Sequence, residues 1–123
     1  MNNNFNVNVF SDDANFSSSL ALECNKYGFE LTFFEMENFE KVLNSDKSLV
    51  SINIIDLSGN NLENKYILGK QVRKCSNSPV FGVVDIVNSE NRNKSKINGF
   101  DLIFTKKVLL KSIKKVIIHI SDK

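Results

Sequence analysis

Leu49-Val50-Ser51-Ile52-Asn53-Ile54-Ile55-Asp56 is the most apolar run in the chain, and it ends on a carboxylate. A strand this apolar reads as one covered on both faces, as in a parallel sheet. Asp56 then stands where a buried strand meets solvent, an unusual place for a charge. Asp12 and Asp13 follow the first apolar strand, Val7 to Phe10, and Lys106 follows the last, Leu102 to Thr105. One lysine with two or three carboxylates at strand ends is a set able to hold a divalent metal and a phosphoryl group.

Outward from this run, two kinds of segment alternate. Phe16, Leu20, Ala21, Cys24 and Tyr27 recur at helical spacing, and Gly28 stops that helix. Glu30 to Phe34 is rich in aromatic and β-forming residues and reads as a second strand. Phe39, Val42 and Leu43 suggest a short helix. Ser58-Gly59-Asn60-Asn61 is turn chemistry. Leu62, Tyr66, Ile67 and Val72 mark another helix, which Gly69 weakens. Pro79 precedes a fourth strand, Val80 to Val84, and Leu102 to Thr105 is a fifth. Ser89 to Ile97 is almost wholly polar and is open between a weak helix and a mobile loop. Leu109, Ile113, Val116, Ile117 and Ile120 form a last helical stripe, with Lys107, Lys111, Lys114 and Lys115 opposite it.

Strands alternating with helices predict an α/β protein with a five-stranded parallel, doubly wound sheet. Sites in such sheets form beyond the carboxyl ends of the strands. Asp12, Asp56, the segment Val84 to Ile86 and Lys106 should all fall on that edge.

The chain has 123 residues, the size of one domain spanning 1–123. It is 41% hydrophobic and 24% charged, ordinary values for a globular protein. A net charge of +2 is too small to argue for nucleic acid as a partner. No apolar stretch nears the roughly 18 residues of a membrane span. Met1-Asn2-Asn3-Asn4-Phe5-Asn6 carries no positive charge and no long apolar segment, so it does not read as a secretory signal and a cytoplasmic location is expected. Cys24 and Cys75 lack metal-ligand spacing and are expected to be reduced. No glycine-rich phosphate loop and no nucleophile triad can be assembled. His119 lies among isoleucines without a neighbouring acid.

These segments together resemble a response-regulator receiver domain, the phosphoacceptor module of two-component signalling. Gly99-Phe100-Asp101-Leu102-Ile103-Phe104-Thr105-Lys106-Lys107 resembles the family's Gly-Ala-Asp-Asp-Tyr-Leu-Thr-Lys-Pro. Leu49 to Asp56 resembles its Leu-Val-Leu-Leu-Asp strand, Val7 to Asp13 its Ile-Leu-Val-Val-Asp-Asp-Asp opening, and Tyr27-Gly28-Phe29-Glu30-Leu31 its Gly-Tyr-Glu-Val step. The resemblance covers essentially the whole sequence. It implies the (βα)5, flavodoxin-like receiver fold and a stand-alone receiver with output by protein contact. It also implies an acceptor, not a turnover enzyme.

By that resemblance Asp56 accepts the phosphoryl group, and Lys106 pairs with the phosphate or with Asp56. Mg²⁺ is expected on Asp12, Asp13, Asp56 and a backbone carbonyl near Ser58. Counting back from Gly28 places Ser11 and Asp12 on the family's acidic pair, with Asp13 next along. A shift of one residue makes the pair Asp12 and Asp13 instead. The first register is favoured because Phe16, Leu20 and Cys24 then face inward. Implied partners are a histidine kinase or phosphotransfer protein and a downstream protein target, with no membrane, and a homodimer stays open.

Three positions depart from the family pattern. Its Ser/Thr after the fourth strand falls on Val84, its aromatic switch falls on Ile103, and its Lys-Pro step becomes Lys106-Lys107. A cis bond before Lys107 would cost about 2.5–4 kcal/mol, so a trans bond or a strained site is expected. Close carboxylates repel, which should raise the pKa of at least one of them. Each site residue also has a plainer reading: Asp56 as a turn residue, Asp12 or Asp13 as a helix N-cap, Lys106 as a solvated lysine. Ser11, Val84, Ile103 and Lys107 support an alternative function, a degenerate pseudo-receiver acting as a phosphorylation-independent interaction module.

Overall fold

The computed structural model describes residues 6–34, 52–75 and 78–121. Strands β1 (Asn6–Phe10), β2 (Glu30–Phe34), β3 (Ile52–Asp56), β4 (Val80–Val84) and β5 (Leu102–Thr105) alternate with helices α1 (Ala14–Lys26), α2 (Leu62–Cys75), α3 (Ser89–Ile97) and α4 (Lys106–Ser121). The five strands form one sheet in the order β2-β1-β3-β4-β5, parallel throughout. The order reverses between β1 and β3, so the crevice of a doubly wound sheet opens at the carboxyl ends of those two strands. Phe10 pairs with Ile55 there, and the next residues along are Ser11 and Asp56.

Alternate residues of each strand serve opposite faces. Val7, Val9, Ile52, Ile54, Phe81 and Val83 are buried with Phe16, Leu20 and Cys24 of α1 and Leu109, Ile113 and Ile117 of α4. Phe10, Ile55, Val80 and Val84 are buried on the other face with Tyr66, Leu68 and Val72 of α2 and with Phe100. β3 and β4 are covered on both faces, as the apolar run from Leu49 predicted.

Two polar residues interrupt that run from within. Asn8 and Asn53 are register partners on β1 and β3, both buried, and the Asn8 amide donates to Asn53 Oδ1 at 3.3 Å. The Asn53 amide in turn donates to the Pro79 carbonyl at 3.4 Å. Gly69 has a packing reason inside α2: a Cβ there would stand 2.2 Å from the Phe100 ring.

The strands at Glu30, Val80 and Leu102 run over the expected residues. β3 begins at Ile52 and includes Asp56, while residues 49–51 and the short helix expected around Phe39, Val42 and Leu43 lie outside the described residues. Ser89 to Ile97 is a helix. The Asn88 side chain accepts from the Asn91 N–H at 2.9 Å, and Asn91 Oδ1 accepts from the Asn88 N–H at 3.0 Å, a reciprocal cap. The last helix starts at Lys106, earlier than its apolar stripe suggests, with Thr105 Oγ1 accepting from the Val108 N–H at 3.1 Å. No described peptide bond is cis. Among the described residues no helix is long and apolar enough to cross a membrane.

Candidate functional site

Asp56 ends β3 and is 3% exposed, so its charge depends on the donors around it. Each carboxylate oxygen has them. Oδ1 accepts from the Ser58 N–H at 2.9 Å and from the Ser58 hydroxyl at 2.6 Å. Oδ2 accepts from the Ser11 hydroxyl at 2.6 Å and lies 3.3 Å from Lys106 Nζ. Two hydroxyls, one backbone amide and one ammonium therefore hold the carboxylate at the sheet edge.

Lys106 reaches this point because β5 ends beside β4, and α4 begins at once. Its ammonium donates to Asp13 Oδ2 and to Ser58 Oγ, each at 2.8 Å, and stands 3.7 Å from Asp85 Oδ1. It also lies 5.6 Å from the centre of the Phe16 ring. Burial disfavours the charged form of Lys106, but the hydrogen bond to Asp13 and the charge of Asp56 outweigh it, and the ammonium is held above the usual lysine value.

Asp13 is the N-cap of α1: its Oδ1 accepts from the Phe16 N–H at 3.0 Å. The hydrogen bond from Lys106 and this capping bond hold its carboxyl below the usual value of 3.8, against a smaller opposing effect of burial. The expected crowding of carboxylates was to raise a pKa; Asp13 moves the other way because an ammonium faces it. Of the residues after β1, Ser11 is the one whose side chain donates to Asp56. Asp12 is exposed on the wall of a cleft of about 770 Å³, which Asp13, Asp56 and Ser58 also line.

Lys65 is a residue that the sequence reading passed over. It lies in the first turns of α2 and lines the same cleft. Its ammonium donates to the Ser58 carbonyl. A signal was present: a cation near a helix N-terminus opposes the helix dipole and asks for a compensating acceptor.

Mg²⁺ takes carboxylate and carbonyl oxygens in near-ideal octahedral geometry. Of the oxygens expected to supply it, those of Asp12 stand exposed on the cleft wall, while the others already accept hydrogen bonds. Both Asp13 oxygens and all the Asp56 contacts above are taken by protein donors, and the Ser58 carbonyl is taken by Lys65. Among the described residues no three acidic, imidazole or thiol groups gather as a metal site. A divalent ion there would share Asp13, Asp56 and the Ser58 carbonyl with these protein donors.

No family model matches the sequence, and no curated protein matches it. Solved structures do. A response regulator from Thermotoga maritima superposes with a TM-score of 0.76 at 17% identity, over 93% of this chain and 98% of that one. A CheY-like response regulator receiver domain protein from Methanospirillum hungatei JF-1 gives 0.74 at 15%, over 96% and 97%. A response regulator from Burkholderia pseudomallei, with a phosphorylated aspartic acid, a calcium ion and citrate, gives 0.72 at 17%, over 89% and 64%. The chain has the receiver-domain fold.

Within that fold the three unusual positions have physical settings. Val84 ends β4, is 4% exposed, and packs in the core with Phe10, Ile55 and Phe100. Ile103 is half-buried against the same core. Lys107 is exposed on α4, as are Lys111, Lys114 and Lys115. Lys114 stands 5.1 Å over the Tyr27 ring. Cys24 and Cys75 are free thiols.

Proposed function

We propose that this chain is a receiver-type signalling module in which Asp56 is the phosphoryl acceptor and output is by protein contact. The observation that supports it most is the meeting of Asp56 with Lys106, 50 residues on in the chain, at 3.3 Å. That pairing sits on the crevice of a doubly wound sheet, beside a cleft large enough for a partner's side chain.

The donor in this reading is a phosphohistidine on a histidine kinase or phosphotransfer protein. An Asp56 oxygen attacks phosphorus in line, a P–O bond forms, the P–N bond breaks, and the departing imidazole takes a proton. Lys106 offsets the negative charge that builds on the phosphoryl oxygens. Ser11 and Ser58 can turn their hydroxyls from Asp56 toward the new oxygens, since a hydroxyl rotates to suit its acceptor. The group remains on Asp56 until hydrolysis, so the module is an acceptor and not a turnover enzyme.

Beryllium fluoride, a phosphoryl mimic, tests this reading. Saturable backbone NMR shifts at Asp56, Val84 and Lys106 are expected, and Asp56→Asn should abolish them. A response that survives this substitution means that another residue takes the group.

Val84 favours a second reading, a phosphorylation-independent docking module. A buried valine offers no hydrogen bond to a phosphoryl oxygen, so the two charge states make no differential contact there, and without one no equilibrium shifts. Shifts confined to Asp56 and Lys106, with none at Val84, support binding without a switch.

A further inference from the structure

The acidic centre has two ammonium groups, and only one of them belongs to the expected pattern. Lys106 stands at one oxygen of Asp56. Lys65 stands on the other side of Ser58, whose N–H and hydroxyl hold the other Asp56 oxygen. Ser58 is thus fixed on every polar atom: its amide and hydroxyl on Asp56, its Oγ also on Lys106, its carbonyl on Lys65. The turn is shaped for this contact. Gly59 has φ +82°, a backbone conformation that favours glycine, and its position lies against the Lys65 ammonium. Asn61, at φ 59°, completes the curl that brings α2 and Lys65 over Ser58.

Four carboxylates surround two ammonium groups: Asp13, Asp56 and Asp85 lie within 4 Å of Lys106, and Asp12 lines the cleft with Lys65. The position just after β1 and beside Asp56, where the resemblance implies a further carboxylate, holds the neutral hydroxyl of Ser11. Lys65 thus adds a second positive charge to a centre that stays rich in carboxylates. A lysine ammonium has three donors. One of them rests on the Ser58 carbonyl, which leaves two for an anion in the cleft.

We propose that Lys65 is a built-in cation that stands in place of a divalent metal, so that the Asp56 centre takes a phosphoryl-like anion without one. This rests on the phosphoacceptor reading and adds to it the means by which the anion's charge is met. Lys65 and Lys106 flank the anion, and a Mg²⁺ ion on the Ser58 carbonyl would have to share that oxygen with the Lys65 ammonium, charge against charge.

Two measurements on the whole chain test it. The first uses Mn²⁺ as a paramagnetic probe of ¹⁵N-labelled protein, followed at the amides of Asp12, Asp56 and Ser58. Wild type should show no saturable broadening there, and Lys65→Met should gain it, with an affinity tenfold or more above wild type. Lys65→Arg keeps a cation and should behave as wild type. It also serves as the folded control, should the methionine variant prove unstable. The second measurement repeats the beryllium fluoride titration with a chelator in place of Mg²⁺. Wild type should respond equally in both, whereas Lys65→Met should respond only with Mg²⁺. Saturable Mn²⁺ binding at Ser58 in wild type, or a Mg²⁺ requirement in wild type, overturns the role given to Lys65 and leaves the acceptor reading standing. So does a Lys65→Met variant that gains no metal. Absence of any beryllium fluoride response overturns the acceptor reading and this proposal together.

Discussion

Cys24 lies within the core between α1 and the sheet, and burial, aided by the charge of Glu23, pushes its thiol from 9.0 to about 11. Thiolate is the reactive form, so a two-unit rise leaves about a hundredfold less of it near neutral pH. An alkylating reagent at pH 8 should therefore label Cys75, which is only partly covered, and leave Cys24 until urea opens the fold; mass spectrometry of the peptides reads the order. Labelling of Cys24 ahead of Cys75 contradicts the packing of α1. Val84 carries a second residue-scale prediction. Val84→Thr places a hydroxyl of nearly the same shape in an apolar pocket, which should cost about 1–3 kcal/mol in urea unfolding. The same hydroxyl is the missing contact to a bound anion. On the docking-module reading, where wild type shows no shift at Val84, the variant should gain a beryllium fluoride shift at residue 84.

The elements are held by contacts of different legibility. Gly69 in α2 illustrates one that composition misreads. Helix propensity favours alanine over glycine by up to about 1 kcal/mol. Phe100 decides otherwise, because its ring, packed edge-on against Tyr66 at 6.0 Å, would meet the new methyl at 2.2 Å. Gly69→Ala should lose about 1–3 kcal/mol by overpacking, seen as a lower urea midpoint at unchanged slope. The buried Asn8 and Asn53 pair is a second such contact. Asn53→Ala strands the Asn8 amide and should cost about 1–3 kcal/mol, while replacing both with leucine should cost less than the single change. The strands were readable because short apolar or β-forming runs follow Gly28, Pro79 and Gly99, which mark where they begin. The helix α3 was not. Ser95 is its buried residue, and its start depends on a side-chain exchange between Asn88 and Asn91, not on any apolar period. Asp56 and Lys106 were readable at the site because each ends or follows an apolar strand. Lys65 was not, because its contact depends on a turn with positive φ at Gly59 and Asn61 that brings residues seven apart together.

At the scale of the molecule, Lys106 ties together segments that no strand pairing joins at that edge. Its ammonium bridges the N-cap of α1 through Asp13, the end of β3 through Asp56, and the turn after it through Ser58. The sign of its pH dependence follows from the two shifts. Asp13 is lowered from 3.8, so the stability it contributes is present above that value and is lost as pH falls through the still lower value of the folded state. Lys106 is raised from 10.5, so its contribution is complete below that value and is lost as pH rises through the higher one. Between these limits the pair's contribution should not vary. Lys106→Met removes the ammonium while keeping most of the stem, and leaves Asp56 with its two serine hydroxyls and the Ser58 amide. It should lower stability by on the order of 1–3 kcal/mol near neutral pH. Urea unfolding of wild type and variant should show a constant difference from about pH 5 to 9, narrowing below the ordinary Asp value and above the ordinary Lys value. A difference that grows in acid would mean that Asp13 and Lys106 are not partners in the folded molecule, and the strand edge would need another tie.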